Sequence, residues 1–548
     1  MSQQTHEVFN QAQPLSGYNV FESDAVLGEA LEREGGGWAA ERTREVGAYA
    51  GSELAQRLGR EANENPPKLR THDRFGNRID EVEFHPAWHE LMSAGVGFGL
   101  HSLPWSEPQP GAHVARAAMF MCFSQAEAGV GCPISMTYSA VPAVRLEPRI
   151  AEEWEPRFGS LFYDGAELRP ASEKQGALCG MAMTEKQGGS DVRANTTVAR
   201  ALNGGGPGAE YELTGHKWFC SAPMCDAFLV LAQTEEGVSC FLLPRFTPDG
   251  SRNGMHLQRL KDKLGNRSNA SSEVEFRGAW AQMLGEPGRG VPTIIEMVNH
   301  TRLDCGLGAA TGMRAGTAAA IHHCAHRSAF GNELISQPLM QNVLCDLAIE
   351  SEAATVAVMR LARAYDLAGE DEHEREFRRV ANATLKYWTT KRAPVHAAEA
   401  LECFGGNGYV EESGMPRLFR ESPLNSIWEG SGNVQCLDVL RAMSRNPASV
   451  QAFFTEVAEG LGSDPRLDAA AAKLQRDLAN PEGIEPRARR LVEEMALVLQ
   501  GSLLVRFGDE AVADAFCASR LGDDGGRAFG TLSPSTDFDR IIARHRPV

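Results

Sequence analysis

The spacing of apolar and polar positions divides the chain into stretches of different rhythm. In residues 1–180 the rhythm is mostly helical. Ser23 and Asp24 are capping-type residues, and the run from Ala25 to Leu31 behind them is apolar at helical spacing. His113 to Phe123 predicts another helix, amphipathic or buried. Glu64-Asn65-Pro66-Pro67 breaks the pattern, because proline cannot continue a helix. Residues 181–290 change to short β-prone runs: Tyr211 to Thr214, Ala227 to Ala232 and Cys240 to Leu243. Glycine-rich punctuation such as Asn203 to Gly208 separates them, which predicts a small antiparallel β domain. Residues 291–446 return to long helices. Glu350 to Leu367 and Phe377 to Leu401 suit a helix bundle, with the charged run Gly369 to Glu376 as the tip between them. Residues 447–548 add amphipathic helices, Ala469 to Leu478 and Arg487 to Leu499. The whole reads as mainly α with a central β domain.

Composition narrows the class. At 548 residues the chain can bury several large cores. Its hydrophobic fraction of 43% and charged fraction of 23% are those of a soluble globular protein. No apolar run reaches the ~18 residues of a membrane span, so no membrane partner is expected. The N-terminus, Met1 to Glu7, lacks the basic region and apolar core of a secretory signal. The 12 cysteines form no CxxC pair, and Cys122, Cys132, Cys179, Cys220, Cys225 and Cys240 stand mostly in apolar surroundings. That pattern fits free thiols in a reducing cytoplasm. His322, His323 and His326 have a ligand-like spacing, but the helical, apolar Ala318 to Ile321 precedes them. With no carboxylate or cysteine cluster to complete a site, no metal is expected. The net charge of −18 repels nucleic acid, so DNA contact would need a local basic patch.

The chemistry concentrates in a few motifs. Met183 to Val192 reads Met-Thr-Glu-Lys-Gln-Gly-Gly-Ser-Asp-Val, with Thr184 and Ser190 flanking Gly188 and Gly189. Two readings are open. It is a polar turn between strands, or a loop whose backbone approaches a planar heterocycle that the hydroxyls hydrogen-bond. Gly215 to Ser221 follows as Gly-His-Lys-Trp-Phe-Cys-Ser. Arg327 to Gly331 then reads Arg-Ser-Ala-Phe-Gly, within a helical stretch. Finally Phe404 to Tyr409 reads Phe-Gly-Gly-Asn-Gly-Tyr, and Ile427 to Ser431 reads Ile-Trp-Glu-Gly-Ser.

In this order and at these distances the set resembles the acyl-CoA dehydrogenases, a family of FAD enzymes, over roughly residues 90 to 445. Thr5 to Gln11 and Leu260 to Ser271 resemble one branch of that family, produced in the bacterial response to DNA-alkylating agents. Continuation to residue 548, past the usual family end, is similar to that branch too. The resemblance implies an N-terminal helical domain (1–180), a β domain (181–290), a helix bundle (291–446) and a helical C-terminal extension (447–548).

Desaturating an acyl thioester needs a base for the α-proton, a polarised carbonyl and an electron sink. The resemblance makes Glu429 the base, although in the isovaleryl-CoA branch the base comes from an earlier helix. Taken alone, Glu429 is equally a loop carboxylate before a glycine. The resemblance places Met181, Ala182, Met183, Thr184, Glu185, Lys186, Gln187, Gly188, Gly189 and Ser190 around the isoalloxazine ring of FAD. Phe219, Cys220 and Ser221 join them; Thr184 and Ser190 would hydrogen-bond the ring and Phe219 would pack on it. Asn425, Ser426, Ile427, Trp428, Glu429, Gly430, Ser431, Gly432, Asn433, Val434 and Gln435 would line the ring and the adenine side. Arg327 and Phe330 would reach the FAD of a neighbouring subunit, and Gly405 and Gly406 would let backbone approach its pyrophosphate. Such sharing implies a homo-oligomer, a homotetramer. From the residues alone, Arg327 also reads as a helix-end cation and Gly405-Gly406 as a helix C-cap. Two positions depart from the family pattern. Glu402 stands where glutamine is frequent, and Met297 to His300 before Thr301-Arg302 do not match the family's substrate-side segment.

Eleven of the 12 basic residues after 446 are arginines, facing 16 acids. Arg487, Arg489 and Arg490 are the densest group, and Arg441 and Arg445 lie just before the extension. These are candidates for double-stranded DNA phosphates, since the guanidinium donates paired hydrogen bonds. A solvated, salt-bridged helical face accounts for the same charges. Two functions are therefore carried forward. One is a flavoprotein that binds DNA and protects it from alkylating agents, with weak, isovaleryl-CoA-like dehydrogenase activity. The other is an ordinary acyl-CoA dehydrogenase of branched or medium-chain thioesters. Under the first, the small-molecule partner is an acyl-CoA or an alkylating compound.

Overall fold

The computed structural model describes residues 5–165 and 168–548, so the N-terminal reading of Met1 to Gln4 lies outside the described residues. Helices α1 (Ala25–Arg33), α2 (Ala40–Gly51), α3 (Glu53–Glu64), α4 (Pro86–Gly97), α5 (Leu103–Ser106), α6 (Ala112–Phe123), α7 (Gly131–Val144) and α8 (Pro148–Phe158) come first. Asp24 caps α1 through its side chain, which accepts from the Leu27 N–H, and α3 stops before the Pro66-Pro67 pair. An antiparallel hairpin, β1 (Lys68–His72) and β2 (Arg78–Glu83), interrupts these helices. The helical rhythm of the N-terminal stretch gave no sign of it, because its two strands are short and polar.

The chain folds as two compact units. One comprises residues 54–112 and 126–304, the other residues 1–53, 113–125 and 305–548. The first is built on a seven-stranded sheet: β3 (Cys179–Ala182), β4 (Val198–Ala201), β5 (Glu210–Ser221), β6 (Ala227–Thr234), β7 (Gly237–Pro244), β8 (Met255–Leu260) and β9 (Ser271–Leu284). The three expected β runs fall in β5, β6 and β7. The sheet is mostly antiparallel, but β3 runs parallel to β6 and the β6–β7 pairing closes the ladder on itself. Ala227 to Ala232 is apolar without alternation. Both faces of β6 are covered, and Phe228, Leu229, Val230 and Leu231 are fully buried.

The second unit contains the bundle. After α9 (Gly290–His326) come α10 (Pro338–Leu367), α11 (Glu372–Glu402), α12 (Met415–Glu421) and α13 (Gly432–Arg445). The extension follows as α14 (Pro447–Ala458), α15 (Pro465–Ala479), α16 (Ile484–Phe507), α17 (Glu510–Phe516) and α18 (Phe538–His545). The charged tip is shorter than its composition suggested. Asp371 accepts from the Glu374 N–H, so α11 already begins at Glu372, and acidic residues suit that first turn.

The extension belongs to the same compact unit as the bundle, with α16 packed on α10, α11 and α13. The contact is ionic as well as apolar. Helix α10 buries Asp346, Glu350, Glu352 and Arg360, each at most 4% exposed. Arg520 pairs with Asp346 and with Glu350 at 3.2 Å; Arg544 and His545 meet Glu352 at 3.0 and 2.9 Å. Arg360 is held by Glu374 at 2.9 Å and by Glu456 at 2.6 Å, and Arg506 joins Glu456 at 2.7 Å. Buried charges are tolerated only when paired in this way. Among the described residues no helix is long and apolar enough to cross a membrane.

Burial alone would raise the Glu352 carboxyl, but hydrogen bonds and charge from His545 and Arg544 overcome it and bring it down to about 2. A depressed acid contributes stability above its ordinary value of 4.5 that is lost as pH falls toward 2. Glu352→Ala should destabilise the fold by about 3–5 kcal/mol, since the buried His545 loses its partner and Arg544 keeps only Glu29. Chemical denaturation of Glu352→Gln from pH 6 to pH 2 should show a flatter acid limb than wild type; an identical slope would refute the pairing.

Candidate active site

In the first unit, the loop after β3 is organised by a buried ion pair. Glu185 and Lys217 are both inaccessible, with Lys217 Nζ 2.8 Å from Glu185 Oε1. The carboxylate also accepts from the Thr196 and Thr197 N–H groups at 2.7 and 3.1 Å and from the Gln187 amide at 2.8 Å. Lys217 donates further to the Leu231 carbonyl at 2.7 Å. Burial works against the charge on Glu185, yet Lys217 and the two threonines hold its carboxyl well below the usual range. Burial brings Lys217 down to about 8, partly offset by Glu185. Glu185 therefore folds the loop from inside, while Lys186, Gln187, Gly188 and Ser190 are exposed. Gly189 has to be glycine for space: a Cβ there would lie 2.3 Å from Thr184 Oγ1.

Strand β5 runs beside this loop, the Trp218 N–H donating to the Thr184 carbonyl at 2.8 Å. Its pairing with β9 is irregular between Lys217 and Cys220. Such a bulge re-aims side chains, and Phe219 emerges 48% exposed while Cys220 stays buried. Burial pushes the Cys220 thiol up to about 12, so it serves as core. Ser221 is half-buried, its hydroxyl 3.5 Å from that of Ser271. Met181 and Ala182 are buried within β3, and Met183 and Thr184 are half-buried. The unit thus presents an exposed aromatic ring among hydroxyls and close-approach backbone, which fits a planar, hydrogen-bonding ring system.

Lys261 was not among the expected site residues. Its ammonium lies 3.2 Å from the Trp218 ring centroid and 4.8 Å from that of Phe219, held by Glu273 at 2.7 Å. Only the fold brings a residue of the β8–β9 connection over β5. Arg302, in α9, is 7% exposed. Near it in sequence, His300 packs against Trp105 and Tyr138 at ring separations of 5.6 and 5.3 Å.

In the second unit, Asn425 to Gln435 form a short 3₁₀ turn (Leu424–Ser426), a loop and the start of α13. Glu429 is half-buried and adopts φ +55, followed by Gly430 at φ +95. The Trp428 indole donates to Asn425 Oδ1 at 2.9 Å. Ser426, Gly432 and Gln435 are buried, Val434 is half-buried, and Ile427, Ser431 and Asn433 are exposed. Arg327 and Phe330 belong to a two-stranded hairpin after α9, with Phe330 at its tip, 97% exposed at φ +54. Arg327 donates to the Asn10 carbonyl, and the Asn10 amide exchanges hydrogen bonds with the Ser328 backbone at 2.7 and 2.8 Å. Gly405, at φ +60, and Gly406 have open space where a side chain would be; Glu402 is exposed. Nε2 of His322 meets the Gln13 carbonyl at 2.8 Å.

The five candidate DNA arginines differ in availability. Arg445, Arg489 and Arg490 are exposed, Arg489 meeting the Tyr387 hydroxyl at 3.2 Å and Arg490 meeting Glu494 at 3.1 Å. Arg441, 54% exposed, pairs loosely with Asp438 at 3.4 Å. Arg487 is spent on the carbonyls of Asp477, Asn480 and Glu482. Of the extension's other bases, Arg466, Lys473, Arg506, Arg520, Arg540 and Arg544 all form ion pairs.

Comparison with known proteins decides the family. Residues 10–165 match the AidB (adaptive response protein) N-terminal domain, residues 180–279 the acyl-CoA dehydrogenase middle domain and residues 288–444 its C-terminal domain. The chain is 46% identical to AidB of Escherichia coli (strain K12) over 96% of both chains. It belongs to the acyl-CoA dehydrogenase family, in the AidB branch. It is 29% identical to acyl-CoA dehydrogenase family member 11 of Caenorhabditis elegans, covering 92% of this chain and 87% of that one. The crystal structure of C. elegans ACDH-11 in complex with C11-CoA superposes with a TM-score of 0.87 at 28% identity, over 99% of this chain and 98% of that one. The chain is thus an FAD-dependent oxidoreductase of acyl-CoA dehydrogenase type, and the exposed Phe219 with Thr184 and Ser221 fits the flavin ring.

Breaking the buried pair should expose its role. Lys217→Met strands a buried carboxylate at a cost of about 3–5 kcal/mol, and FAD retained after desalting should fall below half of wild type. Lys217→Met combined with Glu185→Gln should recover part of both losses. A double variant no better than the single one would contradict this account.

Proposed function

We propose that the protein dehydrogenates an acyl-CoA thioester with Glu429 as the base. The observation that carries this reading is the Glu429 loop, whose backbone is fixed in a left-handed conformation that no unconstrained glutamate favours. Likeness to a protein solved with C11-CoA supports a thioester as substrate. Glu429 would take the α-proton, and hydrogen-bond donors near the thioester oxygen would stabilise the charge that develops there. FAD, when bound, supplies the acceptor for the hydride leaving Cβ. Thr184, Ser190 and Ser221 would hydrogen-bond its ring and Phe219 would pack on it. Arg327, Phe330, Gly405 and Gly406 would serve the FAD of a neighbouring copy in a homotetramer, and the 97% exposure of Phe330 supports a covering partner. Glu429→Gln should slow anaerobic flavin bleaching by isovaleryl-CoA by about 10³-fold or more; bleaching at the wild-type rate would remove Glu429 from the role.

A second reading, binding of double-stranded DNA with protection from alkylation, is favoured by the likeness to AidB across the extension. Of the five candidates, Arg441, Arg445, Arg489 and Arg490 are exposed, whereas Arg487 is committed to backbone carbonyls. Because the extension completes the bundle, surface substitutions test this better than truncation. Arg489→Ala with Arg490→Ala should weaken duplex binding irrespective of sequence and lower the slope against log salt by about two. Unchanged affinity and slope would count against these arginines.

A further inference from the structure

We infer that Lys386 is the positioning residue that holds the base loop in its working shape, an inference that rests on reading Glu429 as the base. Lys386 stands in the middle of α11 with 1% of its surface exposed. An ammonium so deeply buried needs strong acceptors. It finds them on both sides of Glu429, donating to the Trp428 carbonyl at 2.7 Å and to the Gly430 carbonyl at 2.5 Å. From α13, the Gln435 amide donates to the Glu429 carbonyl at 3.1 Å and to that of Gly430 at 3.0 Å. Three successive carbonyls therefore converge on donors from two helices.

The convergence explains the backbone. Carbonyls of consecutive residues alternate in an extended chain; here residues 429 and 430 take positive φ and the three carbonyls meet one pair of donors. For Gly430 that is free; for Glu429 it costs on the order of 1–2 kcal/mol. The charge-assisted hydrogen bonds from Lys386 offset that strain. The lysine and the loop thus account for each other: the cation is buried because the carbonyls are gathered, and they stay gathered because the cation is there. With its backbone pinned on both sides, the Glu429 carboxylate keeps only side-chain freedom. Reaction rates are steep in such placement, since a shift of about 1 Å costs about 10²-fold. Lys386 does this without touching substrate.

The test uses the FAD-loaded enzyme, with Lys386→Met keeping length and apolar stem while removing the donors. Flavin bleaching by isovaleryl-CoA and exchange of the thioester α-protons with deuterated water should both fall about 10²-fold. FAD content and the thioester concentration giving half-maximal bleaching should stay within about twofold, a split that general unfolding would not produce. Glu429→Gln is measured alongside. If it bleaches and exchanges like wild type, or if wild type itself is not bleached, the base reading falls and Lys386 falls with it. If Glu429→Gln is inactive while Lys386→Met matches wild type, the base stands and the inference about Lys386 is overturned. Should Lys386→Met fail to retain FAD, Lys386→Gln, which keeps an amide donor without the charge, decides: a fall of about 10-fold in both rates at wild-type FAD content supports the clamp, and wild-type rates refute it.

Discussion

Helix α10 depends on charge neutralisation supplied from far along the chain. Three carboxylates and one guanidinium lie within its buried length, and an unpaired charge there would be worth several kcal/mol of destabilisation. Arg520, Arg544 and His545 arrive from the last 30 residues to meet Asp346, Glu350 and Glu352, and Glu456 meets Arg360. Because α10 packs on α11, and α11 carries Lys386, these pairs also underpin the helix that grips the Glu429 loop. The extension is part of what makes the bundle a bundle.

The two units solve a common problem by the same means. In the β domain Lys217 and Glu185 fix a loop that glycines would otherwise leave loose. In the bundle Lys386 fixes another. Both lysines are sealed from water and both donate to main-chain carbonyls. Rigid loops displaying a few exposed groups, such as Phe219 and Ile427, are what binding sites generally need.

The rhythm of the sequence located the β domain and the long helices because their periodicities are strong and uninterrupted. It missed the β1–β2 hairpin, whose strands are too short and polar to signal. Motif order singled out Thr184, Ser190, Phe219 and Glu429 as candidates, and the structure leaves Ser190 and Phe219 exposed and holds Glu429 half-buried at positive φ. Lys217, Lys261 and Lys386 were not legible as site residues, since nothing local separates a buried lysine from a solvated one; only partners brought from other elements do. The arginines after 446 were ambiguous for the same reason. Composition counted them alike, and the fold sorts them into Arg506, Arg520 and Arg544, which are internal, and Arg489 and Arg490, which face outward.

The dependence of α10 on residues 520–545 has a consequence for synthesis. When α10 has left the ribosome, the arginines that neutralise it have not yet been made. Its midsection cannot close into a dry core during translation, and those carboxylates keep the waiting segment hydrated instead of sticky. Completion of the bundle is thereby tied to completion of the chain, so that a prematurely ended polypeptide is left recognisably open to the cell's quality control.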